Sequence, residues 1–252
     1  MPRTIIRTKR MLLLRTPFPG GRRRRLSAPK RSLRFYINPN DDPSGELEGG
    51  GGTQGQQESV MRRTVSTRTI AIRIHNYARV KPSILNQATK VASEIFRDAG
   101  VDPIWVECSI GQRFLPDSVC TNPLTPLDLV LSLLPRSRNQ NFHFRDEVLG
   151  MAMETTAQDF GSFASVFYDS VEICAAHRNV DLSHLLGHVI AHELGHLLLG
   201  ADSHSCRGVM RASWSGRELI AVNQGILSFS ASEEQRLQAV LTFRTHVALT
   251  GR

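Results

Sequence analysis

Residues 188 to 200 read HVIAHELGHLLLG, and the only polar side chains in that run are His188, His192, Glu193 and His196. The segment sits in a longer helical stretch from about Leu182 to Leu199, with Asp181 or Ser183 placed to cap its start and Gly200 to stop it. A helix this apolar must be buried, and burying two imidazoles and a carboxylate in it costs several kcal/mol unless something compensates them. A bound cation would. Histidines 184, 188, 192 and 196 recur every four residues, so their column drifts by about 40° per step. His192 and His196 therefore share a face and can present two imidazoles to one ion, with Glu193 beside the first. His188 lies one turn earlier, within reach of a hydrogen bond to that site, and His184 falls at the exposed helix start. The plainer alternative, satisfied core histidines with the glutamate in solvent, suits a lone histidine better than this cluster.

The elements around this helix are read from periodicity. Ile70, Ile72 and Ile74 alternate with Ala71, Arg73 and His75, which reads as a first strand. Pro82 opens a helix in which Ile84, Leu85, Ala88, Val91, Ile95 and Phe96 share a face, and Gly100 ends it. IWVEC (104–108) and LDLVLSLL (127–134) follow as strands, residues 136–147 as a polar loop, and GSFASVFYDSVEI (161–173) as an exposed strand. Ser230 and Glu233 form a capping box for a terminal helix. The order predicts one α/β (α+β) domain over 69–252.

Residues 1–68 differ in kind. They carry 15 Lys+Arg against 5 Asp+Glu, while 69–252 carry 16 against 18, so the tail holds about +10 of the formal +8 and the domain about −2. The run Arg22–Arg25 and the glycines 49–52 lie among few apolar residues, and the segment reads as a disordered, basic, Gly-rich arm. Met11–Leu14 is too short for a secretory core. A polybasic contact with nucleic acid or anionic lipid would rest on the arm alone; no specific nucleic-acid partner is expected. No run approaches the roughly eighteen apolar residues of a membrane span. Cys108, Cys120, Cys174 and Cys206 contain no CxxC pair; Cys108 and Cys120 bracket a loop that would be bridged on export and reduced in the cytoplasm.

His192-Glu193-x-x-His196, a glycine at the helix end, a histidine shortly after and Met210 in SCRGVM together resemble the metzincin metalloproteases, whose pattern is HExxHxxGxxH followed by a Met-turn. The resemblance is tight over 188–210 and loose over 69–250. It implies a mixed sheet with an active-site helix and a C-terminal helix, a zinc ion (Zn2+), Glu193 as general base, Met210 beneath the ligands, and a peptide or protein substrate held along a sheet strand. Ser165 and Phe167 are assigned to that strand, and a monomer is expected.

The spacing departs from the family: Leu199 stands where the glycine is expected, Gly200 comes one later, and the position of the third ligand is Asp202. Three residues therefore compete for it. His204 has the favoured ligand type one residue further along, Asp202 has the register, and Cys206 would make a thiolate site that suits a hydrolase less. Two other functions compete with a zinc endopeptidase. A gluzincin-type hydrolase would take Glu218 as third ligand. A non-catalytic peptide-binding domain would close the zinc with His192, His196, His204 and Cys206, leaving no position for water. A pro-segment that blocks zinc through cysteine is excluded over residues 1–107, which contain none.

Overall fold

The alternation after Thr69 and the helical period after Pro82 each build the expected element. In the computed structural model, which describes residues 68–108, 119–135, 148–153, 162–200 and 203–250 and the backbone of 33–37, the order is β1 (Leu33–Ile37), β2 (Arg68–Asn76), α1 (Pro82–Asp98), β3 (Val101–Glu107), β4 (Asp128–Leu134), β5 (Val148–Ala152), β6 (Phe163–Phe167), α2 (Tyr168–Arg178), α3 (Leu182–Leu199), β7 (Ser213–Trp214), α4 (Gly216–Gln224) and α5 (Ala231–Thr250). The chain divides into Met1–Lys30, outside the described residues, and a unit from Arg31 onward. Most of the arm expected to be unfolded lies outside the described residues, as does the 136–147 loop. Leu33–Ile37 departs from that expectation: this short apolar-rich run satisfies its backbone by joining a sheet.

The fold is mixed α/β. The strands order as β3-β2-β4-β6-β5-β1-β7; β3, β2, β4 and β6 run parallel, and β5 is antiparallel to β6. Ile70, Ile72, Ile74, Leu129, Leu131, Leu133 and Val166 are buried from the sheet, and α1 and α3 pack on one another. Gly187 permits that approach, since a Cβ there would lie 2.7 Å from the Ala88 carbonyl oxygen. No helix among the described residues is long and apolar enough to cross a membrane.

One expectation is corrected. The stretch 161–173 is not one exposed strand: it is an interior strand to Phe167 and then helix α2, in which Tyr168, Val171 and Ala175 are buried at helical spacing. Arg73 is buried, its guanidinium binding the carbonyls of Asn122 and Pro123 and the Asp128 carboxylate (3.2 Å). The link between Trp214 and Ser230 contains α4. Cys108 and Cys120 are joined as a disulfide with Cα atoms 5.6 Å apart, and Arg73 binds the chain that follows Cys120.

Candidate metal centre

Helix α3 begins where the Asp181 carboxylate accepts a hydrogen bond from the His184 amide at 2.9 Å, and leaves its axis at Gly200, whose φ of 92° suits glycine. Its last carbonyls are not left to solvent. Arg236 of α5 donates to Leu199 O at 2.7 Å, and buried Arg244 donates to Leu197 O and Pro126 O. Cations at a helix C-terminus complete both its hydrogen bonding and its dipole. Burial lowers Arg244 to about 10, which leaves it charged at neutral pH.

Between those ends, His192, Glu193 and His196 are buried, and the chain returns after Gly200 to bring His204 alongside. The Nε2 atoms of His192 and His196 are 3.0 Å apart, and those of His196 and His204 3.1 Å. Nitrogens bound about 2.0–2.1 Å from one tetrahedral ion stand about 3.3 Å apart, so this spacing matches a shared cation. The other ring nitrogens are spent on orientation. His192 Nδ1 donates to the Val209 carbonyl at 2.6 Å, and His196 Nδ1 shares a 2.9 Å hydrogen bond with Ser203 Oγ. A neutral His192 that donates from Nδ1 has only a lone pair at Nε2, aimed at His196. Burial, reinforced by the neighbouring imidazoles, pushes His192 well below the ordinary histidine range and His196 down to about 4. Three imidazole nitrogens at this spacing are a donor set a divalent cation takes.

Glu193 completes the argument. Both of its carboxylate oxygens are buried without a hydrogen-bond partner among the described residues, and desolvation raises its pKa well above the carboxylate range. Such buried oxygens, on the residue next to His192, fit a missing positive charge. The carboxylate lies against β5: a Cβ on Gly150 would stand 2.6 Å from Glu193 Oε1. Gly150 was not legible as a site residue, and neither was Ser203, whose only signal is a hydroxyl between the helix stop and His204.

The return segment is pinned from beneath. Gly208 has φ of 76° and approaches Ser228 O, to which the Val209 amide donates at 2.9 Å, so the Val209 carbonyl is held toward His192. Met210 is fully buried with its sulfur against Gly195, where a Cβ would come within 2.5 Å of it. The sulfur thus packs under the helix between the two ligand histidines, and the second glycine of HELGH makes room for it.

The remaining candidates are placed elsewhere. Cys206 is exposed and outside the histidine group; Asp202 lies outside the described residues. Glu218 is not brought to the histidines: its oxygens cap α4 through the Ser215 amide and hydroxyl and pair with Arg211 at 2.6 Å. Serine followed by glutamate three residues later is a helix-start signature, and it could have been read as one. His188 Nδ1 donates to His184 O at 2.7 Å and its ring stands edge-on to Trp214, so it supports the core and not the ligands. His184 is half-buried against the Val222 carbonyl. Ser165 and Phe167 cannot bind substrate through the sheet edge, because β6 is paired on both sides, by β4 and β5. The antiparallel strand is β5. Comparison of the chain with protein-family models and with curated proteins finds no match to either, so the function rests on the site's own chemistry.

Proposed function

We propose that the domain is a zinc-dependent endopeptidase of metzincin type, with His192, His196 and His204 as ligands and Glu193 as general base. The observation that carries this reading is the convergence of three Nε2 atoms, two of them from the helix that also carries Glu193, whose buried carboxylate has no hydrogen-bond partner among the described residues. A zinc ion held there supplies Lewis-acid chemistry, polarising a carbonyl and lowering the pKa of water. Three protein ligands leave one position open for it.

The chain's own residues do the rest. Glu193 takes the proton of the attacking water and returns it to the leaving amine. Burial pushes its carboxyl pKa up, and a nearby cation would pull the other way; the two effects together can leave a group able both to accept and to release a proton. Val209 O and Ser203 Oγ keep the two helical imidazoles turned with Nε2 toward the ion. Gly150 keeps β5 close to Glu193 and bulk water out. The Cys108–Cys120 bridge supports an oxidising compartment for the folded protein.

The test is metal analysis of the full chain beside its Glu193→Gln variant, with casein and a peptide library as substrates. One zinc per chain is expected in both, with hydrolysis stopped by a chelator and reduced about 10³-fold or more in the variant, the scale of losing a general base. Undiminished cleavage by Glu193→Gln, or failure of the wild type to retain zinc, overturns the reading.

A further inference from the structure

The two helical histidines are oriented by partners of different chemistry. His192 Nδ1 meets the Val209 carbonyl at 2.6 Å, and a carbonyl oxygen only accepts, so the proton of a neutral His192 is fixed at Nδ1. His196 Nδ1 meets the Ser203 hydroxyl at 2.9 Å, and a hydroxyl both donates and accepts. Ser203 and His196 are only 2 % and 4 % exposed, so neither is hydrated by bulk solvent. Ser203 also directly precedes His204, so the bond that turns His196 seats the segment that brings in the third imidazole.

The opposite edge of the His196 ring faces two more nitrogens. Its Nε2 stands 3.0 Å from His192 Nε2 and 3.1 Å from His204 Nε2, with the ring edge-on to both neighbours. Two lone pairs facing one another at that distance repel, whereas one proton between them makes a hydrogen bond. His192 offers only a lone pair there. Without an ion, the proton of a neutral His196 is therefore favoured at Nε2, between the rings, and Nδ1 then accepts from the Ser203 hydroxyl. With a cation bound, His196 must present a lone pair at Nε2, so its proton sits on Nδ1 and Ser203 Oγ accepts it. The proton count of His196 is the same in both forms: one proton leaves Nε2 to solvent, one joins Nδ1 from solvent, and the hydroxyl rotates. A carbonyl in place of the hydroxyl would satisfy Nδ1 in the second form only, and an apolar side chain in neither.

We propose that Ser203 is a positioning residue that lets His196 exchange tautomers as the metal enters while holding its ring in one orientation. The inference rests on the metal site of the peptidase reading and not on hydrolysis.

The test uses the full chain labelled with nitrogen-15 in its histidines, with Zn2+ alone as the probe and a competing chelator to read affinity. Imidazole nitrogen spectra are expected to show the His196 proton on Nε2 before zinc is added and on Nδ1 afterwards, while His192 keeps its proton on Nδ1 throughout. Ser203→Ala should bind zinc about 10- to 100-fold more weakly, the scale of losing a ligand's orienting partner, and Ser203→Thr, which keeps a hydroxyl, should restore the affinity. Unchanged zinc affinity in Ser203→Ala overturns the inference. Where that variant fails to fold, the wild-type spectra decide: zinc bound with the His196 proton on Nδ1 before and after overturns the tautomer exchange and leaves the peptidase reading standing. No zinc bound at all overturns both.

Discussion

Two glycines set the geometry at the residue scale. At Gly150 an added methyl group collides with Oε1, Cγ and Cδ of Glu193, at 2.6 to 2.8 Å, so the carboxylate must shift. Gly150→Ala is expected to retain one zinc per chain and lose about 10- to 100-fold in kcat/KM, the scale of a misplacement near 1 Å; zinc analysis beside steady-state kinetics checks it. At Gly195 the collision is with the Met210 sulfur and the Phe229 ring. Here the neighbour is partly flexible, so Gly195→Ala should fold but lose about 1–3 kcal/mol, the cost of overpacking, read as a lower urea midpoint with unchanged slope. Neither contact is visible along the chain. What was visible was the pair of histidines four apart on a helix, a local fact; which of His204, Asp202 and Cys206 joins them was left open, and the structure brings His204 to them.

At the scale of elements, α3 is held at both ends by different means. Its start uses its own neighbour, Asp181; its end borrows Arg236 and Arg244 from α5. Arg244→Met should cost about 2–3 kcal/mol, the range for hydrogen bonds from a charged donor, measured by denaturant unfolding with the metal chelated. The Ser215–Glu218 box predicts a separable outcome. Glu218→Ala should lower stability by about 1 kcal/mol through loss of the cap, yet leave bound zinc at one per chain. Loss of zinc in that variant would instead return Glu218 to the ligand set. The misreading of 161–173 also belongs at this scale. Aromatic and β-branched residues favour a strand, but from Tyr168 the buried positions fall at intervals of three and four, and packing on that face wins over propensity.

For the whole molecule, stability should depend on pH through histidines that the fold keeps neutral. His188 is buried and its pKa is pushed down to about 4 by desolvation, against 6.5 when exposed. The unfolded chain therefore binds the proton first. Its contribution is fully present above about pH 6.5, falls away as pH drops toward 4, and changes no further below that. The loss is on the order of 3 kcal/mol, and His188→Phe should flatten this part of the unfolding profile between pH 4 and 6.5. The Cys108–Cys120 bridge closes a loop with a sequence separation of 12, so Cys120→Ser should cost about 2–3 kcal/mol in thermal or denaturant unfolding.

The sequence alone was enough for the helix Leu182–Leu199, its cap and stop, the first strand and helix, and the histidines able to share an ion. Each of these follows from residues within a few turns of one another, where spacing translates directly into a shared face. Tertiary structure alone decided that β5, not β6, borders the site, that Gly150 faces Glu193, that Arg73 and Arg244 are buried partners of distant carbonyls, and that β1 crosses the space between β5 and β7. Those facts depend on which strands become neighbours. Strand order is chosen by the combined burial of the whole sheet and its helices, and no single segment carries enough of that energy to reveal it.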